Sequence, residues 1–151
     1  VELGTSLGIS TLYLSMPDSE SKVFTIEGAP ALAQKANDNF EKLHRRNIVS
    51  ICGSFREELP RLLREMDSVD FAFIDGDHRY EPTMEYFRML LEHKEEHSVF
   101  VFDDIYWSEG MTRAWKDIKN HPDVTVIIDL YRFGLVFFRR GILKQEFVLK
   151  Y

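Results

Sequence analysis

Apolar residues recur along the chain in two alternating patterns. Short β-rich runs occupy positions 1–3, 23–26, 48–51, 69–74, 99–102, 124–128 and 135–138, separated by stretches whose apolar positions fall three or four residues apart. The first pattern suits strands, and the second suits helices that bury one face. Several runs, such as the Val-Phe-Val-Phe of 99–102, are continuous rather than alternating, as expected where helices cover both faces of a sheet. The predicted fold is α/β, a seven-stranded and mostly parallel sheet with helices on both faces.

The helices carry their own punctuation. Pro30 suits a first helical position, and Leu32, Ala36, Phe40 and Leu43 then form one apolar stripe. Ser54 with Glu57 reads as a capping box ahead of Leu59, Leu62 and Leu63. Pro82 opens a helix with Met84, Phe87, Leu90 and Leu91 inward, ending in a charged, solvated 92–96. Ser108 caps another with Met111, Ala114, Trp115 and Ile118 inward. Only the residues 129–134 separate the last two runs, too few for a crossover helix, so the last strand should be antiparallel.

The chain has 151 residues, 44% of them hydrophobic and twelve of them Phe, which excludes a disordered segment and fits a single domain over 1–151. A net charge of −6 argues against a dedicated nucleic-acid binder. No apolar run approaches the roughly 18 residues of a membrane span. The single cysteine, Cys52, rules out an intrachain disulfide and favours a reducing, cytoplasmic setting. Val1 already lies in the first strand and no initiator Met precedes it, so further residues are expected upstream. Oligomeric state stays open, with a homo-oligomer among the alternatives.

Ligands of open α/β sheets bind beyond the carboxyl ends of the strands. The first strand runs into Glu2-Leu3-Gly4-Thr5-Ser6-Leu7-Gly8, where Gly4 and Gly8 allow a ligand to approach the backbone at a helix start. Glu27 ends the second strand, 19 residues after Gly8, where an acid can accept both hydroxyls of a ribose. Together these point to an adenosine ligand. Glu2 is placed to face a ligand ammonium group.

The fourth and fifth strands end in Asp75-Gly76-Asp77-His78-Arg79-Tyr80-Glu81 and Asp103-Asp104. Acids gathered so closely repel one another unless a proton or a cation intervenes, and a hard divalent ion such as Mg2+ would resolve the conflict. Tyr80, Tyr106 and Trp107 follow these strand ends and suit an aromatic wall for a substrate, although core packing explains them almost as well. His44, His93, His97 and His121 share no spacing and read as surface or capping residues.

These motifs resemble the class I, Rossmann-like S-adenosylmethionine-dependent methyltransferases. Glu-Leu-Gly-Thr-Ser-Leu-Gly is similar to their first motif and Thr-Ile-Glu to their second. The Asp-Gly-Asp-His-Arg-Tyr-Glu and Phe-Asp-Asp stretches narrow the resemblance to the cation-dependent O-methyltransferases, including those acting on sugars. The resemblance covers the chain from Val1 to about Arg140. It implies cofactor contacts from Glu2, Gly4, Gly8, Glu27, Gly53, Ser54 and Asp75, and metal ligation by Asp75, Asp103 and Asp104. It places Asp77 or His78 near the acceptor hydroxyl as the base. The implied cofactors are S-adenosylmethionine and Mg2+ or a similar cation, and the implied partner is a small-molecule acceptor bearing hydroxyls. Two other readings fit part of the pattern. A nicotinamide-dependent oxidoreductase also uses a glycine turn and an acid, but leaves the acidic strand ends unexplained. A non-catalytic adenosyl-binding module would keep the fold without turnover.

Overall fold

A computed structural model describes residues 1–18 and 20–150, which form two compact units, Val1–Leu62 and Leu63–Tyr151. The first holds β1 (Glu2–Leu3), α1 (Ile9–Leu14), β2 (Val23–Glu27), α2 (Pro30–Lys42), β3 (Ile48–Cys52) and α3 (Phe55–Leu63). Its strands are parallel in the order β3-β2-β1, with Glu2 beside Thr25 and Thr25 beside Ser50. This places three polar side chains in one row across the strands. Pro30 does open α2, but the buried face is Ala33, Ala36 and Phe40, while Leu32 and Leu43 are exposed. The small alanines, rather than the leucines, let this helix approach its neighbours closely. One such approach is at Gly8, where an added Cβ would stand 2.5 Å from the Phe40 ring.

The second unit holds β4 (Val69–Ile74), α4 (Tyr80–Leu91), β5 (Lys94–Asp103), α5 (Glu109–Asn120), β6 (Val126–Asp129), β7 (Phe133–Phe137) and β8 (Gln145–Val148). Their order is β4-β5-β7-β6-β8; β4 and β5 are parallel, and β7 runs antiparallel to both β5 and β6. The α/β class and the antiparallel late strand are as the sequence predicts. Phe87, Phe102 and Trp115 contact one another edge-on or tilted in the core, at 5.9 and 6.2 Å between centroids. Each such fully buried side chain contributes about 1.5–3 kcal/mol. Gly134 on β7 is required by this core, since a Cβ there would meet the Trp115 ring at 2.5 Å. The expected cap of α5 is present, the Ser108 hydroxyl accepting from the Met111 amide at 3.1 Å.

Two further features depart from the sequence-based expectation. Residues 94–98 continue β5 rather than ending a helix. Lys94 pairs in register with Val69 across a bulge, and the Ser98 hydroxyl accepts from the Glu95 amide and donates to the Val69 carbonyl, both at 2.7 Å. The polar residues are thus tied in by backbone and hydroxyl bonds instead of an apolar pattern. Among the described residues there are also eight strands rather than seven. β8 pairs parallel to β6, and all four of its residues are exposed. Lys144 precedes it and donates its ammonium to the carbonyls of Lys119 and His121, at 2.7 and 3.0 Å, closing the C-terminus of α5. Among the described residues no helix is long and apolar enough to cross a membrane.

Candidate functional site

In the first unit the turn between β1 and α1 has three left-handed residues, Gly4 (φ 104°), Ser6 (φ 49°) and Gly8 (φ 78°). Ser6 tolerates this because Glu27 holds its amide, Oε2 accepting at 2.8 Å while Oε1 accepts from the Ala29 amide at 2.9 Å. Each Glu27 oxygen keeps a second lone pair for another donor. Gly53 donates its amide to the Glu27 carbonyl at 2.9 Å, so the end of β3 stands beside the same acid. Ser54 follows it, exposed, and its carbonyl accepts the amides of Glu57 and Glu58 at the start of α3.

Glu2 is fully buried. Its Oε2 accepts from the hydroxyls of Thr11 and Thr25, both at 2.5 Å, and Thr25 in turn bonds Thr5 at 2.6 Å. Its Oε1 is buried with no hydrogen-bond partner, an arrangement that costs free energy until a donor arrives. A ligand ammonium group would satisfy it. The residues of this unit therefore fit an amino-acid-bearing adenosyl cofactor, because the buried Glu2 Oε1 lacks a donor.

In the second unit Asp75 follows β4, Asp103 ends β5 and Asp104 comes directly after it. Asp103 is nearly buried, and burial, with the charges of Asp75 and Asp104 added, pushes its carboxyl up to about 6 although the Asp104 amide donates to it. The Nε2 of His78 lies 3.5 Å from the Asp75 Oδ1. Hydrogen bonding to Asp75 raises the His78 imidazole above its ordinary value despite partial burial, and the charges of Asp75, Asp104 and Asp103 add to this. Asp77 is turned aside. Held at φ 54°, it receives Arg79 Nε on Oδ1 at 2.6 Å and the Tyr86 hydroxyl on Oδ2 at 3.3 Å. Asp104, at φ 51°, faces Arg132 at 3.6 Å.

Four of the predicted groups, Asp75, His78, Asp103 and Asp104, are thus brought together. Their hard oxygen donors suit a divalent cation in kind. Among the described residues, however, no group of three or more such side chains is already arranged around one metal position.

A family model described as a methyltransferase domain matches residues 1–105. The chain belongs to that family. Among curated proteins none matches this methyltransferase in sequence. Solved structures share its fold. The O-methyltransferase from Bacillus cereus, in complex with SAH, is 22% identical with a TM-score of 0.76, over 90% of this chain and 72% of that one. The O-methyltransferase TomG from Streptomyces achromogenes, involved in tomaymycin synthesis and solved with SAM, is 22% identical with a TM-score of 0.76, over 91% and 71%. A TDP-rhamnose 3'-O-methyltransferase of calicheamicin biosynthesis is 19% identical with a TM-score of 0.69, over 93% and 70%.

Several residues that shape these two clusters lack a sequence signal. Thr11 and Thr25 orient Glu2, but a hydroxyl in a helix or strand looks the same when it merely packs. Arg132 reaches Asp104 from the turn between β6 and β7, 28 positions on. Tyr80 does not join an aromatic wall. Its hydroxyl donates to Asp117 at 2.7 Å and its ring lies under the Arg113 guanidinium, 4.1 Å from the centroid. Tyr106 and Trp107 do line a cavity of about 380 Å3 that includes Asp104, Tyr131 and Arg132.

Proposed function

We propose that this chain transfers a methyl group from S-adenosylmethionine to a hydroxyl of a small-molecule or sugar acceptor, with a divalent cation such as Mg2+ at the acidic strand ends. The observation that carries the adenosyl part is the buried, unpartnered Oε1 of Glu2 beside the glycine turn. On this reading Oε1 accepts from the ammonium of the cofactor, Gly4 and Gly8 keep the approach bare, and Glu27 takes the ribose hydroxyls. Gly53 and Ser54 border the adenine. The cofactor supplies a methyl already activated by its sulfonium charge. The O-methyltransferases of the same fold, two of them solved with SAM or SAH, support the reading.

The acceptor side falls to the second unit. A neutral hydroxyl is a weak nucleophile, and displacement needs its oxygen in line with the methyl carbon and the sulfur. Asp75, Asp103 and Asp104 would hold the cation, and a bound divalent ion lowers the pKa of a ligated hydroxyl. Asp104 leaves Arg132 to take part. His78 accepts the acceptor's proton, because Asp77 is already engaged by Arg79 and Tyr86 and serves to hold the turn. A cytoplasmic setting suits the exposed free thiol of Cys52.

Calorimetry with S-adenosylhomocysteine tests the cofactor half. Wild type should bind, and Glu2→Gln should lose about 1.5–3 kcal/mol, the scale of a hydrogen bond to a charged group. Tighter binding of NADH than of either adenosyl ligand would overturn the reading. Undiminished methyl transfer in excess chelator would remove the cation from it.

A further inference from the structure

A second cavity, of about 640 Å3, lies beside the one that holds Asp104. Tyr106 and Tyr131 border both cavities, their rings 5.8 Å apart and tilted by 35°. Cavities of several hundred Å3 with aromatic walls and a few fixed polar groups are the usual form of a small-molecule site. The far wall comes from β8, through Val148 and the following Leu149. That wall belongs to the strand that the seven-stranded pattern lacks.

Three of the four charged groups here are already engaged. Asp129 is buried, and its carboxylate accepts from the Tyr106 hydroxyl, the Trp115 indole and the Tyr131 amide. Lys119 pairs with Glu146. The remaining charge is the ammonium of Lys150, so the lining carries two cations against two carboxylates and is formally neutral. What it offers a ligand is two tyrosine rings and two aliphatic side chains.

Tyr131 adds a separate indication. It stays 77% exposed and is held at φ 66°, a conformation unfavourable for a bulky residue. Backbone strain of this kind persists where the surrounding structure enforces it, and it gathers at binding sites. The Asp129 carboxylate enforces it here, accepting the Tyr131 amide at 2.9 Å.

We propose that this cavity binds a flat, uncharged apolar body attached to the acceptor, whose hydroxyl end lies in the smaller cavity at Asp104. The tyrosines are the shared surface along which such a molecule extends from one cavity to the other. The inference rests on the reading of the chain as an O-methyltransferase with a hydroxyl acceptor, and it limits that acceptor to molecules longer than one ring.

The test compares catechol with 4-phenylcatechol, which share a pair of hydroxyls and differ by one apolar ring, in fluorescence and calorimetric titrations. Wild type should bind 4-phenylcatechol at least tenfold more tightly. Val148→Arg puts a charge on the far wall at an exposed strand position, and Tyr131→Gly removes the shared ring while relieving the left-handed backbone. Both variants should fold and should bring 4-phenylcatechol down to the level of catechol. Affinity for S-adenosylhomocysteine, measured on the same samples, should be unchanged. Equal binding of the two diols by wild type, or a preference that survives both variants, overturns the proposal. Absence of S-adenosylhomocysteine binding in wild type counts against the methyltransferase reading alone, because the preference between diols is read without the cofactor.

Discussion

Replacing Asp129 by alanine should destabilise the protein by about 2–3 kcal/mol, chiefly by leaving buried donors without an acceptor. The carboxylate is 2% exposed and collects three donors: the Tyr106 hydroxyl at 2.5 Å, the Trp115 indole at 3.0 Å and the Tyr131 amide at 2.9 Å. They are not equivalent. Trp115 is itself 2% exposed, so its N–H has no route to water and costs about 1–3 kcal/mol when stranded. Tyr106 is 41% exposed and can turn its hydroxyl outward, so its bond counts for about 1 kcal/mol. The Tyr131 amide, on an exposed turn, costs least. Relief of the carboxylate's own desolvation works the other way and keeps the total at the lower end of the sum. Urea unfolding should show the midpoint falling at unchanged m. Asp129→Asn keeps an acceptor for the indole and should recover at least half of the loss. An alanine variant within about 0.5 kcal/mol of wild type, the range of an ordinary surface substitution, would refute the account. So would an asparagine variant no better than alanine.

Acid should weaken the fold in two windows. Burial depresses the His121 imidazole against the opposing charge of Asp123, helped by Lys94, Lys144 and Arg88, so its contribution is present above the unfolded value of about 6.5 and is lost as pH falls through the folded one; His121→Gln should flatten that limb of a stability–pH curve. Burial alone would raise Asp129, but its Tyr106, Tyr131 and Trp115 donors outweigh it and hold the carboxyl low, so its contribution is lost only as pH falls below about 3.9, and Asp129→Asn should abolish that second limb. Gly8→Ala should cost about 1–3 kcal/mol in thermal unfolding, since φ is 78° and the new Cβ meets Phe40 at 2.5 Å; a second change, Phe40→Leu, should return part of it. His78→Ala should depress turnover across the pH range with cofactor affinity intact, whereas Asp77→Asn should leave the pH profile in place; the opposite result would transfer the proton-accepting role to Asp77.

The strands and helices that pack by apolar periodicity are legible in the sequence, as Met111, Ala114, Trp115 and Ile118 of α5 illustrate, because burial of one face repeats at the helical period. Residues 94–98 and β8 are not, because backbone ladders and side-chain tethers hold them and leave no periodic trace. Leu32 and Leu43 mislead for a related reason: hydrophobicity ranks them above Ala33, while the close approach of α2 favours the smaller side chain. At the site, acids at strand ends mark Glu2, Glu27, Asp75 and Asp103 as positions of interest. The sequence leaves both Asp77 and His78 open as the base, and the positions of Arg79 and Tyr86 separate them. That Asp104 faces Arg132 depends on a turn whose path no local pattern encodes.

The attachment of β8 has a kinetic consequence. With no buried side chain, this strand is held by its ladder to β6, by the Lys119–Glu146 pair and by the Lys144 ammonium on the end of α5. Segments with few apolar contacts open at a small fraction of the global free energy, and exposed ionic ties weaken as salt shortens the Debye length. The amides of Gln145 and Leu149, bonded to the carbonyls of Thr125 and Asp129, should therefore exchange with solvent faster than those of the buried strands, and faster still as ionic strength rises. One wall of the larger cavity would then behave as a clasp, its residence time set by the surrounding electrolyte while the rest of the sheet stays closed.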